Sequence, residues 1–259
     1  MQFLKKSLGQ NFLIDKNVIK KIINSVQIKN KNIIEIGPGK GALTKEILKK
    51  DPKSFLLIEK DVKLSKILKD QFFDKKKINI VNQDVLKFNF IKIKKKSIIF
   101  GNLPYNISSQ ILVKIIKLKG LSSKCSDIIF MFQKELGEKI IANFPSSNYG
   151  RISILSSYKL NTINKFNISP NCFFPKPKVQ SMVIHFQPKK KLNLKINNLE
   201  NLEKVTYIFF SNKRKMINKN LNKLLSKEKI NSISNLNLNL RPEAVSPDFY
   251  YKITNLYER

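Results

Sequence analysis

Five short apolar runs recur along the first half of the chain, each ending on a polar residue or a glycine. They are NIIEIG (32–37), SFLLIEK (54–60), INIVNQD (78–84), SIIFGN (97–102) and DIIFMFQ (127–133). Amphipathic stretches lie between them, notably GALTKEILKK (41–50), VKLSKILKDQF (62–72) and ILVKII (111–116). Brief strands that are apolar on both sides, alternating with helices, form a mostly parallel sheet with helices on both faces. The predicted fold class is therefore α/β. A β-rich tail follows, with SMVIHFQ (181–187) as its clearest strand.

Beyond it the pattern changes. PKKKLNLKINN (188–198) is basic and polar and reads as a linker. LEKVTYIFFSNKRKMINKNLNKLL then has helical periodicity, and SPDFYYKITNLY predicts a last helix after Pro247. The expected organisation is an α/β domain over residues 1–190 and a small helical domain over 191–259. The Asn-rich stretch NSISNLNLNL (231–240) is compositional and carries no evident chemistry.

Several function classes drop out. No run approaches the roughly 18 apolar residues of a membrane span, and the first residues show no signal-peptide core, so a cytoplasmic protein with no membrane partner is expected. Cys125 and Cys172 form neither a CxxC pair nor a zinc spacing, and are read as small buried hydrophobes in a reducing compartment. The single histidine, His185, sits in an apolar strand and is read as structural. No metal is expected. The net charge of +32 suits nucleic-acid phosphates. Abundant Lys, Asn and Ile also fit AT-rich codon usage, so charge alone does not separate RNA, DNA and an anionic membrane.

The first sheet motif is more specific. EIGPGKG (35–41) follows a strand and opens a helix, where glycines admit a ligand close to the backbone. Its spacing, Gly37-Pro-Gly39-Lys-Gly41, differs from the dinucleotide fingerprint and lacks the Lys-Ser/Thr ending of a P-loop. A nucleoside-binding methyltransferase fits better than a hydride-transfer enzyme. Glu59 closes the next strand, where a carboxylate can bind both ribose hydroxyls. Asp84 closes the third, placed to accept from an adenine amine. Each acid alone is ordinary turn chemistry. Gly37, Glu59, Asp84 and Asn102 at the ends of four successive strands mark a ligand crevice.

The fourth strand ends in FGNLPYNISS (100–109). An adenine exocyclic amine is a poor nucleophile because its lone pair is delocalised into the ring. The Asn102 side-chain oxygen and a backbone carbonyl near Leu103 can each accept one N–H, favouring pyramidalisation toward an incoming methyl group. Pro104 stiffens the turn, and Tyr105 offers a face to the base and to the developing cation. A base in folded RNA must be swung out to reach such a pocket.

Together these motifs resemble the bacterial small-subunit rRNA adenine dimethyltransferases, the kasugamycin-sensitivity dimethylases. The resemblance runs over nearly the whole chain through LGQNFL (8–13), EIGPGKGALT (35–44), IEKD (58–61), QDVL (83–86), GNLPYNISS (101–109), FQKE (132–135), YGRISIL (149–155), FFPKPKVQSMV (173–183) and RPEAVS (241–246). It implies a Rossmann-like class I methyltransferase domain with a small C-terminal helical domain. It implies S-adenosylmethionine as donor, and two adjacent adenosines in a hairpin near the 3′ end of small-subunit rRNA, each dimethylated. The implied substrate is rRNA within an immature small subunit, and a monomer is expected.

The resemblance assigns the donor site to Asn11, Leu13, Gly37, Glu59, Asp84 and Asn102; without it, QNFL reads only as a loop before a helix starting near Asp15. It assigns the target pocket to Asn102, Leu103, Pro104 and Tyr105, with Phe173 as a second stacking aromatic. The residue types alone do not choose between Phe173 and Phe174. The family's Arg-Arg-Lys-Thr stretch is here Lys213-Arg214-Lys215-Met216, so the charge is kept and the threonine is not. Lys215, Lys219 and Lys223 are four apart and are expected to share a helix face suited to phosphates, although a solvated face of a lysine-rich protein explains them equally well. Three other readings stand: a large-subunit rRNA adenine methylase of the macrolide-resistance type, a non-catalytic ribosome-assembly factor, and a DNA-binding factor on the same fold. The last predicts decay of the NLPY or EIGPG elements, and neither has decayed.

Overall fold

The computed structural model describes residues 11–233 and 237–259. The first three residues of LGQNFL and positions 234–236 of the Asn-rich stretch lie outside the described residues. In chain order the elements begin β1 (Phe12–Leu13), α1 (Lys16–Ile23), β2 (Asn32–Ile36), α2 (Ala42–Leu48), β3 (Ser54–Glu59), α3 (Val62–Gln71), β4 (Ile78–Asn82) and β5 (Ser97–Asn102). They continue with α4 (Ser108–Ile116), α5 (Leu121–Lys124), β6 (Cys125–Gln133), α6 (Lys134–Ile140), α7 (Arg151–Lys159), β7 (Leu160–Ile168), β8 (Phe173–Phe174) and β9 (Ser181–Pro188). The chain ends in α8 (Leu199–Phe210), α9 (Ile217–Leu221), α10 (Lys227–Asn231) and α11 (Pro247–Glu258).

The chain divides into two compact units. One comprises residues 1–137 and 161–188, the other residues 138–160 and 189–259. The later changeover, between 188 and 189, lies two residues from the boundary expected at 190. The segment 138–160 groups with the C-terminal unit, which its sequence did not announce.

The first unit is built on a seven-stranded sheet of order β4-β3-β2-β5-β6-β9-β7. The pairs β3–β4, β2–β3, β2–β5 and β5–β6 are parallel, and β6–β9 is antiparallel. The residues of β2 from Ile33 to Ile36 are all buried, as are Ser97 to Gly101 of β5, because helices cover both faces. The order also explains where a ligand goes. The chain steps outward from β2 to β3 to β4, then returns to the far side of β2 as β5. The carboxyl ends of β2 and β5 therefore part into a crevice.

Local signals set the helix starts. Asp15 caps α1 by accepting from the N–H groups of Asn17 and Val18, and Asp61 caps α3 in the same way through Lys63 and Leu64. β7 falls in the expected β-rich tail, although its own sequence marks no strand there. It is an edge strand whose residues 161–165 are all exposed, so it has no hydrophobic period to read.

In the second unit α7, α8 and α11 enclose a core containing Phe209 and Tyr250, whose rings meet edge-to-face at 5.4 Å. Tyrosine hydroxyls in this core donate to carbonyls: Tyr149 to Val245 at 2.9 Å, Tyr250 to Pro242 at 2.6 Å and Tyr251 to Ile154 at 3.0 Å. Each buried hydroxyl thus has a partner. Residues 189–198 form no regular element, as the linker reading expects. Among the described residues no helix is long and apolar enough to cross a membrane.

Candidate active site

The glycine turn after β2 takes a shape that side chains resist. Gly37, Gly39 and Gly41 have φ of +65°, +60° and +77°, in the left-handed region open mainly to glycine. A Cβ at Gly39 would lie 2.8 Å from Cε1 of Phe12, so the turn is also closed down against that ring. Gly37 donates to the Ile58 carbonyl at 2.9 Å, which ties the turn to the end of β3.

Glu59, the last residue of β3, completes the turn. One carboxylate oxygen accepts from the Gly39 N–H at 3.1 Å and the other from the Asp61 N–H at 2.9 Å. Only 6% of Glu59 is exposed, and burial pushes its carboxyl above the usual range while these N–H groups pull it back. Each oxygen keeps a lone pair for a ligand hydroxyl. Asp84 follows β4. It accepts from the Leu86 N–H at 2.9 Å and pairs with Lys60 at 2.8 Å, and that lysine holds its carboxyl below the ordinary value.

The end of β5 supplies the second half of the site. The Asn102 side-chain nitrogen donates to the Asn11 carbonyl at 3.0 Å. That bond leaves the Asn102 side-chain oxygen as the acceptor for an arriving N–H. Leu103 is buried, which fixes the backbone behind it, and a Cβ at Gly101 would fall 2.5 Å from Leu103 Cδ2. The Tyr105 hydroxyl is hydrogen-bonded to Ser181 Oγ on β9, so the ring is anchored at its far end with its face left for contact.

One cavity of about 660 Å³ joins these groups. Asn11, Leu13, Gly37, Glu59, Asp84, Asn102, Leu103, Pro104 and Tyr105 all line it. Its chemistry fits a nucleoside-bearing donor: paired acceptors at Glu59 and Asp84, a closely approachable glycine backbone, and apolar walls from Leu13, Ile36 and Val85. Asn102 lines the same space, so a donor and an amine can meet there.

Phe173 does not join them. It is 3% exposed and packed in the hydrophobic core, whereas Phe174 is 47% exposed. The reason is the short antiparallel pairing of β8 with β1, Leu13 opposite Phe173 and Phe12 opposite Phe174. Successive residues of a strand face opposite ways, and Phe173 takes the inward face. The stacking position expected for Phe173 is therefore not realised in this arrangement.

The basic residues of the second unit also depart from expectation. Lys213, Arg214, Lys215, Lys219 and Lys223 are all exposed. Lys215, Lys219 and Lys223 do not share a helix, because α9 holds only Lys219. Met216 is extended, and the Ile217 N–H is taken by the Leu240 carbonyl at 2.9 Å, which separates α9 from α8.

Among the cavity residues that sequence reasoning missed are Phe12, Lys40 and Glu35. Phe12 roofs the glycine turn with Lys40 at 5.1 Å from its ring centroid. Lys40 itself lines the cavity. Glu35, 1% exposed, accepts from the Thr44 hydroxyl at 2.7 Å, and burial pushes its carboxyl up to about 8. A lone acid inside NIIEIG was the available signal for Glu35.

A family model described as ribosomal RNA adenine dimethylase matches residues 1–259. The chain belongs to the ribosomal RNA adenine dimethylase family. Like other members of this family, it is an S-adenosylmethionine-dependent methyltransferase on a class I, Rossmann-like fold. The ribosomal RNA small subunit methyltransferase A of Pelagibacter ubique is 46% identical over 256 residues, covering 98% of this chain and 97% of that protein. The protein of the same name from Malacoplasma penetrans is 38% identical over 257 residues, covering 97% and 91%. Among solved structures, a dimethyladenosine transferase from Plasmodium falciparum superposes with a TM-score of 0.79 at 25% identity, covering 93% of this chain and 95% of that one. The 23S rRNA methyltransferase ErmE superposes with a TM-score of 0.70 over 96% of this chain and 100% of that one. At 20% identity that second likeness is one of fold.

Proposed function

We propose that this dimethylase transfers methyl groups to the exocyclic amines of two adjacent adenosines in the 3′-terminal hairpin of small-subunit rRNA. It acts as a monomer on an immature small subunit in the cytoplasm. The observation that carries the reading is the shared cavity, which Glu59, Asp84 and Asn102 line together, with the Asn102 side-chain nitrogen already engaged by Asn11. The small-subunit target is supported by relatives at 46% and 38% identity that carry that name.

S-adenosylmethionine, when bound, supplies an electrophilic methyl group on a sulfonium. Glu59 binds the ribose hydroxyls, Asp84 accepts from the adenine, and the glycine turn with Asn11 and Leu13 shapes the remainder of that half. Asn102 and the backbone beside Leu103 accept the two N–H bonds of the target amine and turn its lone pair outward. Positive charge grows on that nitrogen as the new N–C bond forms and the methyl–sulfur bond breaks to leave a neutral thioether, and the Tyr105 face and the Asn102 oxygen stabilise that charge. The proton leaves afterward to water, so no buried base is required. A second transfer to the same nitrogen needs the monomethylated amine to re-present its remaining N–H to Asn102.

The test supplies labelled S-adenosylmethionine and the purified protein to small subunits lacking the paired dimethyladenosines and, separately, to protein-free large-subunit rRNA. Label recovered as dimethyladenosine near the 3′ end of the small-subunit RNA is the expected result. Label confined to large-subunit RNA would overturn the target. Tight subunit binding with no label would overturn the enzymatic role.

A further inference from the structure

The second unit presents an aromatic ring whose placement its own core does not explain. Tyr207, on α8, is 60% exposed. Most aromatic side chains of this unit are buried against one another, including Phe209, Phe249, Tyr250 and Tyr251. Tyr207 is nonetheless held in place. The Arg151 guanidinium, from the first residue of α7, lies 5.6 Å from the centre of its ring. Glu203, one helical turn earlier on α8, pairs with Arg151 at 3.7 Å. The cation is thereby fixed beside the ring, while most of the ring surface stays in water. Arg151 Nε is buried without a hydrogen-bond partner, and the guanidinium's neighbours are the ring and the Glu203 carboxylate.

The chain beyond Tyr207 adds charge. The Ser211 N–H bonds to the Tyr207 carbonyl at 2.9 Å, and α8 then gives way to a turn closed by Lys215 N–H to Asn212 O at 2.8 Å. Lys213, Arg214 and Lys215 project from that turn, all exposed. A pre-set aromatic face followed within eight residues by three cations suits a single-stranded nucleic acid. Bases stack on the ring and the backbone phosphates meet the cations. Glu203, an acid beside the ring, is engaged with Arg151.

We propose that Tyr207, backed by Arg151, is a stacking platform for an unpaired base of the rRNA substrate, with Lys213, Arg214 and Lys215 holding the flanking phosphates. The proposal rests on the rRNA reading above and adds a specific contact surface outside the cavity. Tyr207 is a substrate-binding residue in this view and takes no part in methyl transfer.

The experiment measures binding of Tyr207→Ala, Tyr207→Phe and wild type to undermethylated small subunits and to protein-free small-subunit rRNA. Donor binding by calorimetry reports the folded state of each variant. Tyr207→Ala is expected to bind both RNAs about 5- to 100-fold more weakly, with a raised KM for subunits and unchanged kcat and donor affinity. Tyr207→Phe is expected to match wild type, because the ring is what acts. Replacing Lys213, Arg214 and Lys215 together by alanine should flatten the salt dependence of binding by about two units of log–log slope. Wild-type affinity in Tyr207→Ala would overturn the platform alone. Equal loss in Tyr207→Phe would assign the effect to the hydroxyl and overturn stacking. Weakening on subunits but not on free rRNA would assign the ring to a ribosomal protein and overturn the base contact. Absence of wild-type binding to both the subunits and the free rRNA would overturn the rRNA reading itself, and the platform with it.

Discussion

Asn102 and Asn11 are joined at the cavity wall: the Asn102 side-chain nitrogen donates to the Asn11 carbonyl at 3.0 Å, across 91 residues of chain. The bond fixes which end of the Asn102 amide faces the ligand. It also couples the segment before β1 to the tip of β5, and both residues line the one cavity.

Gly39→Ala should weaken donor binding by about 10-fold or more. The substitution places a side chain at φ +60°, costing about 1 kcal/mol, and drives a methyl group into the Phe12 ring. The ring or the turn must move, and either reshapes the site. Calorimetric titration with S-adenosylmethionine gives the answer, and unchanged affinity would show that the turn has slack.

Glu59→Gln should also weaken donor binding, by about 10- to 100-fold. Both carboxylate oxygens already accept a backbone N–H, from Gly39 and Asp61. An amide keeps one acceptor and sets its NH₂ against the other N–H. The same titration measures it, with thermal unfolding to confirm that the fold survives. Wild-type affinity would remove Glu59 from the donor site.

Glu35 predicts a pH dependence of stability. Burial raises its carboxyl from 4.5 to about 8; the Thr44 hydrogen bond offsets part of this and the Glu59 charge adds to it. Between those values the folded protein holds a proton that the unfolded chain has released. Stability therefore falls as pH rises through that window, by up to about 1.4 kcal/mol per pH unit from this group, and levels off above it. Glu35→Gln carries no such proton. Its denaturant midpoint should gain on wild type from pH 5.5 to 8 and gain nothing further at pH 9. Parallel profiles would contradict the assignment.

The parts of the fold that were legible in the sequence are those whose burial is periodic or complete. β2 and β5 are apolar on both faces and read directly from NIIEIG and SIIFGN. The polar residues closing successive strands marked the crevice because strand ends are where a parallel sheet binds ligands. β7 was invisible because a solvent-facing edge strand selects for no apolar pattern. Phe173 and Phe174 are chemically identical, and only pairing with β1 decides which one faces the core. The break before Ile217 carries neither proline nor glycine; it depends on a hydrogen bond to Leu240, which sequence spacing cannot reveal. The anchoring of Tyr105 by Ser181 is likewise a contact between distant strands.

The most direct measurement is single-turnover methyl transfer by Asn102→Ala on undermethylated small subunits, with donor affinity determined on the same preparation. Removing the open acceptor should slow transfer by about 100-fold or more, while donor binding falls far less, because Glu59 and Asp84 remain. Near-normal transfer by Asn102→Ala would contradict the chemistry assigned to this site.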